Sequence, residues 1–477
     1  MGQEIAASHF RHHDFQKFQT NIDREMLLLR EWFRDARFSC RQPMAGAELE
    51  AWLVDEIGLP IAGNEGFLER VNLPTVVPEL SKFNIEFNVH PQPLTGTGLE
   101  RLEGEFRELW NRCDRVAADM GASVLAIGIL PTVSEKELSL KNVSAMMRFR
   151  ALNEQVFRVR HGRPLFLDIV GHERLSTEHR DVMLEAGATS FQVHLQIPLD
   201  QAVRYYNAAT IVSALTVAAG ANSPFLFGKQ LWEETRIPLF EQAIDLDGPL
   251  PRVTLGSGFL RESLEEVFLE NRSHYSVLLP FVQDVPPEFL SHVRLHNGTI
   301  WRWNRPLIGF DDDDRPHLRI EHRVLPAGPT LVDMAANMAF FYGLVHSLAN
   351  EPCAPEPRIS FSAAWTNFYE AARLGLRCHV EWYDGRRWEL RRLILDELLK
   401  VARQGLEALQ VDSALINRSL AIIEDRVASG QTGSDWQRQF VERHCRERRG
   451  CDWQRLACAY RARQRGGAPV HTWDTSR

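Results

Sequence analysis

Four short stretches of this chain alternate apolar residues with carboxylates, carboxamides, an imidazole and guanidinium groups, and no other feature restricts the fold so much. In GAELEAW, Glu48 and Glu50 stand two apart; in FNIEFNVH, Glu86 and Asn88 oppose Ile85 and Phe87. In TSFQVHLQIP the polar set is Gln192, His194 and Gln196, and in HLRIEHRVLP it is Arg319, Glu321 and Arg323 against Ile320 and Val324. A period of two puts each set on one face of an extended strand. A solvated sheet face is the ordinary reading of alternation. Such faces, however, are usually filled with Thr, Lys and Ser, and these runs hold no Lys and no Thr at the polar positions. Carboxylates crowded on one face repel unless cations lie between them. Mg²⁺ takes such oxygen ligands and shares its shell with phosphates, and arginines pair with phosphates and carboxylates through two hydrogen bonds at once. The pattern therefore points to a phosphoryl-transfer site: one antiparallel sheet with Glu48, Glu50, Glu86, His194 and Glu321 on its concave face.

The rest of the chain supplies helices for that sheet. Residues 8–38 and 99–120 carry apolar residues at helical spacing, the second with Leu102, Phe106, Leu109, Trp110 and Val116 as its stripe. Residues 142–161 and 201–219 read as helices around strands at 165–170 and 189–197, and residues 259–270 as a short helix. Strands at 300–308 and 318–325 flank an acidic tip, Asp311 to Asp314, and Thr330 caps the next helix with Asp333 three residues on. From about residue 350 everything reads as helix, over 358–374, 391–409, 412–429 and 432–465. Strands followed by runs of helices define an α+β protein. The expected division is a helical segment 1–40, a catalytic domain 41–349, a helical C-terminal region 350–465 and a disordered tail 466–477.

Totals narrow the function. A formal charge of −8 supplies no basic face for nucleic acid. The start, MGQEIAASHF, lacks the apolar run of a secretory signal. The weakly polar run from Ala208 to Phe227 is broken at Asn222-Ser-Pro224, so it reads as a buried helix rather than a membrane span. An odd seven cysteines suggest reduced thiols and a cytoplasmic protein. Cys445, Cys451 and Cys458 read as ordinary thiols ahead of a zinc site. Neither GxxxxGK[ST] nor GxGxxG occurs, so any ATP is not held by a P-loop or Rossmann turn. The 17 histidines include no HExxH, which counts against a metallohydrolase.

The charged runs also resemble, in order, the glutamate–cysteine ligase family with its carboxylate–amine ligase branch, of the glutamine synthetase-like superfamily. GAELEAWLVD is similar to the family's opening Glu-x-Glu strand, and Glu79 with Glu86 in PELSKFNIEFN to its next acidic pair. TSFQVHLQ precedes AAGANSPFLFGKQLWEETR, in which Ala-Asn-Ser-Pro-Phe with Arg236 is the most specific piece; RIEHRVLPAGPTLVDMAA resembles the Glu-x-Arg strand and following helix. The likeness covers residues 45–347. It implies a curved antiparallel sheet flanked by helices, use of ATP with two or more Mg²⁺ ions, and amide formation through an acyl-phosphate, by default between glutamate and cysteine in glutathione biosynthesis. It implies metal ligation by Glu48, Glu50, Glu79, Glu86, His194 and Glu321. Gln192 and Gln196 would lie beside metal or substrate, Arg323 and Arg236 against nucleotide phosphates, and Arg150 against phosphate or a substrate carboxylate. Arg323, Arg236 and Glu86 would carry the chemistry.

Blander readings stand beside these. Glu79 is equally a loop carboxylate, and His194 could be a satisfied core histidine. Asn222 and Pro224 shape a loop; Trp301, Trp303 and Phe310 read as core, and Arg302 and Arg305 as ion-paired strand residues. The amine could be another amino acid or a peptide, or the chain a degenerate member that only binds. The expected partners are small molecules, amino acids and ATP, with neither nucleic acid nor membrane, in a monomer or homodimer.

Overall fold

The computed structural model describes residues 5, 9–39, 42–248, 250–445 and 452–475. The strands that matter come early and late: β1 (Met44–Val54), β2 (Val76–Pro78), β3 (Asn84–Asn88), β4 (Gln92–Pro93) and β5 (Ser123–Leu125), a separate hairpin β6 (Leu165–Val170) and β7 (Arg174–His179), then β8 (Phe191–Ile197). Two minor pairs follow, β9 (Phe225–Leu226) with β10 (Lys229–Gln230) and β11 (Val253–Thr254) with β12 (Trp301–Arg302), before β13 (Asn304–Phe310) and β14 (Pro316–His322). The main sheet runs β13-β14-β8-β1-β3-β2, with β4 and β5 also on β1, and every pairing in it is antiparallel. The four alternating segments are thus neighbours in one curled half-barrel. The 165–170 strand pairs only with β7, outside that sheet.

The apolar face is covered by helices. Those preceding the last strands are α1 (His12–Arg34), α2 (Asn64–Val71), α3 (Gly98–Asp119), α4 (Met147–Val159), α5 (Ala202–Gly220), α6 (Arg236–Ala243), α7 (Glu265–His274) and α8 (Ser291–Gly298); α9 (Leu331–Asn350) follows the sheet. Phe106 of α3 meets Phe191 edge-on, Trp110 lies against Phe87, and Phe341 of α9 stacks on His322. α5 has only small and apolar residues over most of its length and is buried on every side. α9 is long and apolar enough to cross a membrane by composition, but it too is buried, packed against α5 and the helices that follow.

Those later helices are α10 (Phe361–Leu374), α11 (Leu390–Leu393), which passes through a π-turn into α12 (Leu399–Ala408), α13 (Ser413–Ser429), α14 (Gly433–His444) and α15 (Trp453–Gly466). Among the described residues the all-helical expectation is corrected at two places: β15 (His379–Glu381) and β16 (Arg387–Glu389) form a hairpin, and the helix expected over 432–465 is two, α14 ending at an extended Cys445. α9 and α12 cross at two glycines, where a Cβ on Gly343 would lie 2.3 Å from the Ala402 carbonyl oxygen. The buried Arg426 of α13 binds Asp333 at 2.7 Å and the Ala219 carbonyl at 3.0 Å. The end of the chain is ordered as far as residue 475, against the expectation of disorder from 466. Val470 and Trp473 are buried, and Trp473 packs on Trp436 and Tyr460 because that aromatic surface would otherwise face water. Cys113, Cys353, Cys378 and Cys458 are free thiols, but Cys445 is disulfide-bonded, which corrects the expectation of seven reduced cysteines. Cys40 and Cys451 lie outside the described residues.

Candidate active site

Strand register decides which polar side chains meet. Glu50 pairs directly with Glu86 across β1 and β3, and Glu321 with His194 across β14 and β8; Glu48 lies opposite both Asn88 and Gln192. The result is two triads. Glu48, His194 and Glu321 each offer a ligand atom within 4.8 Å of the others, and so do Glu50, Glu79 and Glu86. Glu79 arrives from the turn after β2 rather than from a strand. Mg²⁺ holds its ligands at about 2.1 Å, so its ligand atoms stand about 3 to 4.2 Å from one another, and both triads gather theirs close to that range.

The first triad is poised by its neighbours. Nε2 of His194 is buried and makes no hydrogen bond, standing 3.4 Å from Glu48 and 3.9 Å from Glu321. A satisfied core histidine would not leave that nitrogen bare. Burial pushes the imidazole down to about 4, so it is neutral and can donate a lone pair at physiological pH. Glu321 is gripped by Arg305 through two hydrogen bonds, 2.8 and 3.1 Å, and by Arg323 at 3.0 Å. Burial works to raise its carboxyl, but Arg305 and Arg323 outweigh it and hold Glu321 well below the usual range.

The second triad has the opposite electrostatics. Burial first, then the neighbouring carboxylates, push Glu50, Glu79 and Glu86 upward, Glu86 far upward under the influence of Glu48 and Glu79. Carboxylates directly opposed across a strand pair are unfavourable without a cation or a shared proton. Glu50 is nonetheless fixed in place, accepting from the Ser190 amide (2.7 Å), the Ser190 hydroxyl (2.8 Å) and Gln192 Nε2 (2.9 Å). Six oxygen and nitrogen donors in two compact sets fit divalent cations with oxygen-rich shells.

The arginines and carboxamides divide differently from expectation. Arg323 donates to Gln192 Oε1 at 2.5 Å and lines the cavity, so Gln192 bridges Glu50 and Arg323. Gln196 is buried with its Nε2 lacking a hydrogen bond, on a second cavity that reaches Glu48 and His194 from the other side. Arg236 borders the site, but its guanidinium is occupied by Glu234, by the Arg323 carbonyl and by the Val324 carbonyl. Ser223 of the Asn-Ser-Pro segment donates to the same Glu234 at 2.7 Å, and Asn222 takes Tyr460, the Ala327 carbonyl and Gln437 as partners. That segment and Arg236 therefore brace the chain where it leaves β14. Arg150 is exposed and absent from the cavity walls; Arg148, two residues earlier, lines the main cavity with Phe149 and Leu152. Arg305 is ion-paired as expected, and Arg302 is buried against Glu270 and Asn271.

Several wall residues carry no signal as strong as the strands'. Arg294 and Asn297 from α8, Arg305, Trp301 and Leu307 surround a main cavity of about 260 Å³. Glu185 stands in a single 3₁₀ segment, Val182–Gly187, where no periodicity marks it; burial and Glu79 push it up to about 8.

A curled antiparallel sheet with helices behind it matches the fold of the glutamine synthetase-like ligases. Residues 44–457 match the model of the family described as Glutamate-cysteine ligase family 2. The chain belongs to that family, and the match extends through the C-terminal helices, well past residue 347. In fold it is similar to a glutamate–cysteine ligase from Francisella tularensis in complex with AMP (10% identity, TM-score 0.52, covering 92% of this chain and 91% of that one). It is also similar to a bifunctional glutathione synthetase from Pasteurella multocida (14% identity, TM-score 0.54), of which it spans 55% while 92% of this chain is covered. Among curated proteins none matches. Family and fold make this chain a ligase of the glutamate–cysteine ligase kind.

Proposed function

We propose that the protein joins a carboxylate to an amine through an acyl-phosphate, with glutamate as acyl donor and an amino acid, by family default cysteine, as acceptor. The observation that carries this reading is the pair of acidic triads on one sheet face, one beside Arg305 and Arg323 and the other beside Glu185. Mg²⁺ held by Glu48, His194 and Glu321, and by Glu50, Glu79 and Glu86, would draw charge off the phosphoryl group. Arg323, fixed by Glu321 and Gln192, is a donor already oriented and would stabilise the transferred phosphoryl oxygens as they gain charge. The similar ligase with bound AMP supports nucleotide use on this fold.

The test is ADP formation with Mg²⁺, L-glutamate and a panel of amino acids and dipeptides. Glutamate-dependent ADP release, increased by one amine, is expected, and Glu86→Gln should lower it about 10²-fold or more. If no amine raises ADP release and Glu86→Gln changes nothing, the reading fails. A stimulating amine other than cysteine would identify a different branch of the same chemistry.

A further inference from the structure

Beside the second triad, three buried polar atoms make no hydrogen bond: Oε2 of Glu185, Nδ2 of Asn84 and Nε of Arg323. All three residues line one small recess, about 40 Å³, that also touches Glu50, Glu79 and Ser190. The recess adjoins the main cavity, with Glu50, Glu79, Glu185 and Arg323 on the walls of both. Asn84 is only 3% exposed, and its Oδ1 already accepts from Ser81. Buried polar groups are almost always satisfied, and three bare ones around one void are a place where a ligand completes the bonding. They also differ in kind. Glu185 supplies an acceptor with negative charge when ionised, while Asn84 and Arg323 supply donors, one of them cationic. Glu185 belongs to neither acidic triad.

We propose that this recess receives the zwitterionic head group of an amino-acid substrate, its ammonium on Glu185 and its carboxylate on Asn84 and Arg323. The inference rests on the ligase reading above and names the substrate subsite within it. Its volume suits a head group alone, so the side chain runs into the larger cavity toward the triads. Either amino-acid substrate carries this chemistry, and the two are separated by experiment.

Binding of L-glutamate, L-cysteine and glutarate, which lacks the ammonium, is measured by calorimetry on the full chain with Mg²⁺ and a non-hydrolysable ATP analogue. The wild type should bind one of the two amino acids at least about tenfold more tightly than Glu185→Gln does, with nucleotide affinity unchanged within about twofold. If glutamate is that ligand, the wild type should also prefer it to glutarate by about tenfold, and the variant should lose the preference. Asn84→Asp, which sets a carboxylate against the substrate's own, should weaken the same amino acid and not the other. Steady-state KM values in the ADP assay should repeat the split. Two folded variants that leave both amino-acid affinities within twofold of wild type, or weaken nucleotide in step, overturn the proposal. A wild type that binds the amino acid through Glu185 but never forms ADP overturns the ligase reading and leaves the head-group site standing.

Discussion

His194 and His322 sit on neighbouring strands, one on each face of the same sheet, and their fates show how a residue's face decides its role. His322 falls among the apolar set of β14 and is fully satisfied, Nδ1 at 2.7 Å from Asn304 and Nε2 at 2.9 Å from Thr216, with burial pushing it down to about 3. His194 falls among the charged set and keeps a bare nitrogen between two carboxylates. Period-two reading was enough to separate them. It was also enough to find Asn84, two residues before Glu86 on the same face, although the polar set was drawn to begin at Glu86. Arg148 was within reach as well, since it precedes Leu152 by one helical turn and so shares the buried stripe of α4, which Arg150 does not. Glu185 offered no such handle. Away from the site, Glu241 of α6 accepts from the Tyr369 hydroxyl at 2.6 Å and the Trp303 indole at 2.9 Å, and burial pushes it up to about 7. A carboxyl raised on folding contributes stability below its unfolded value, and that stability is lost as pH rises through the folded one. Glu241→Gln should therefore gain roughly 1–3 kcal/mol relative to wild type between pH 5 and pH 8, read from urea denaturation at both. An equal difference at the two pH values would show that Glu241 ionises in the fold at its unfolded value, without the upward shift.

Helix α8 begins without a side-chain cap of its own, yet it carries Arg294, Leu295 and Asn297 on the wall of the main cavity. Its free amides are met from another element. Glu25 of α1 accepts from the backbone of His292 (2.9 Å) and Val293 (2.8 Å) and holds the His292 ring at 2.5 Å. A carboxylate at a helix N-terminus is favourable both as acceptor and against the helix dipole. Glu25→Ala should cost about 1–3 kcal/mol in chemical denaturation and raise KM for a substrate in the cavity, with Glu25→Gln recovering part of both. Unchanged KM with lowered stability would mean that α8 keeps its place without the cap. Such a pairing of α1 with α8 had no trace in the sequence, because the two partners are distant in the chain and each reads as an ordinary surface-helix residue. The strands that build the triads, β1, β3, β8 and β14, were legible because each carried its own alternation, whereas the β15–β16 hairpin is too short to show a period among helices.

On the scale of the whole molecule, the helices after residue 350 are part of the same core as the sheet. They bury α9 through the Gly343–Gly405 crossing, hold Asp333 with Arg426 and the Val470 amide, and reach back through Gln464 to Ala126 beside β5. A fragment of residues 1–349 would leave an apolar helix uncovered and the Asp333 carboxylate buried without its cation. It should be insoluble or bind ANS strongly with no cooperative thermal transition, while the full chain melts cooperatively. A soluble 1–349 fragment with native near-ultraviolet circular dichroism would restore the division at 349 as a domain boundary. Composition could mark the change from strands to helices there, but it could not reveal that the glycines of two distant helices touch.

The order of the sheet, β13-β14-β8-β1-β3-β2, also sets a timetable. β1 is central and emerges early, but the partners that complete the first triad, β8 and β14, come from far downstream, and α9 follows later still. Closing such long loops precedes any reward from the contacts they make, so the charged face forms among the last steps of folding. Until then the apolar sides of the early strands have no cover, and the unpaired edges of β1 are open to other chains. The architecture that gathers carboxylates from opposite ends of the sequence thus makes the newborn chain depend on its own distant end, and on whatever shields it while that end is being made.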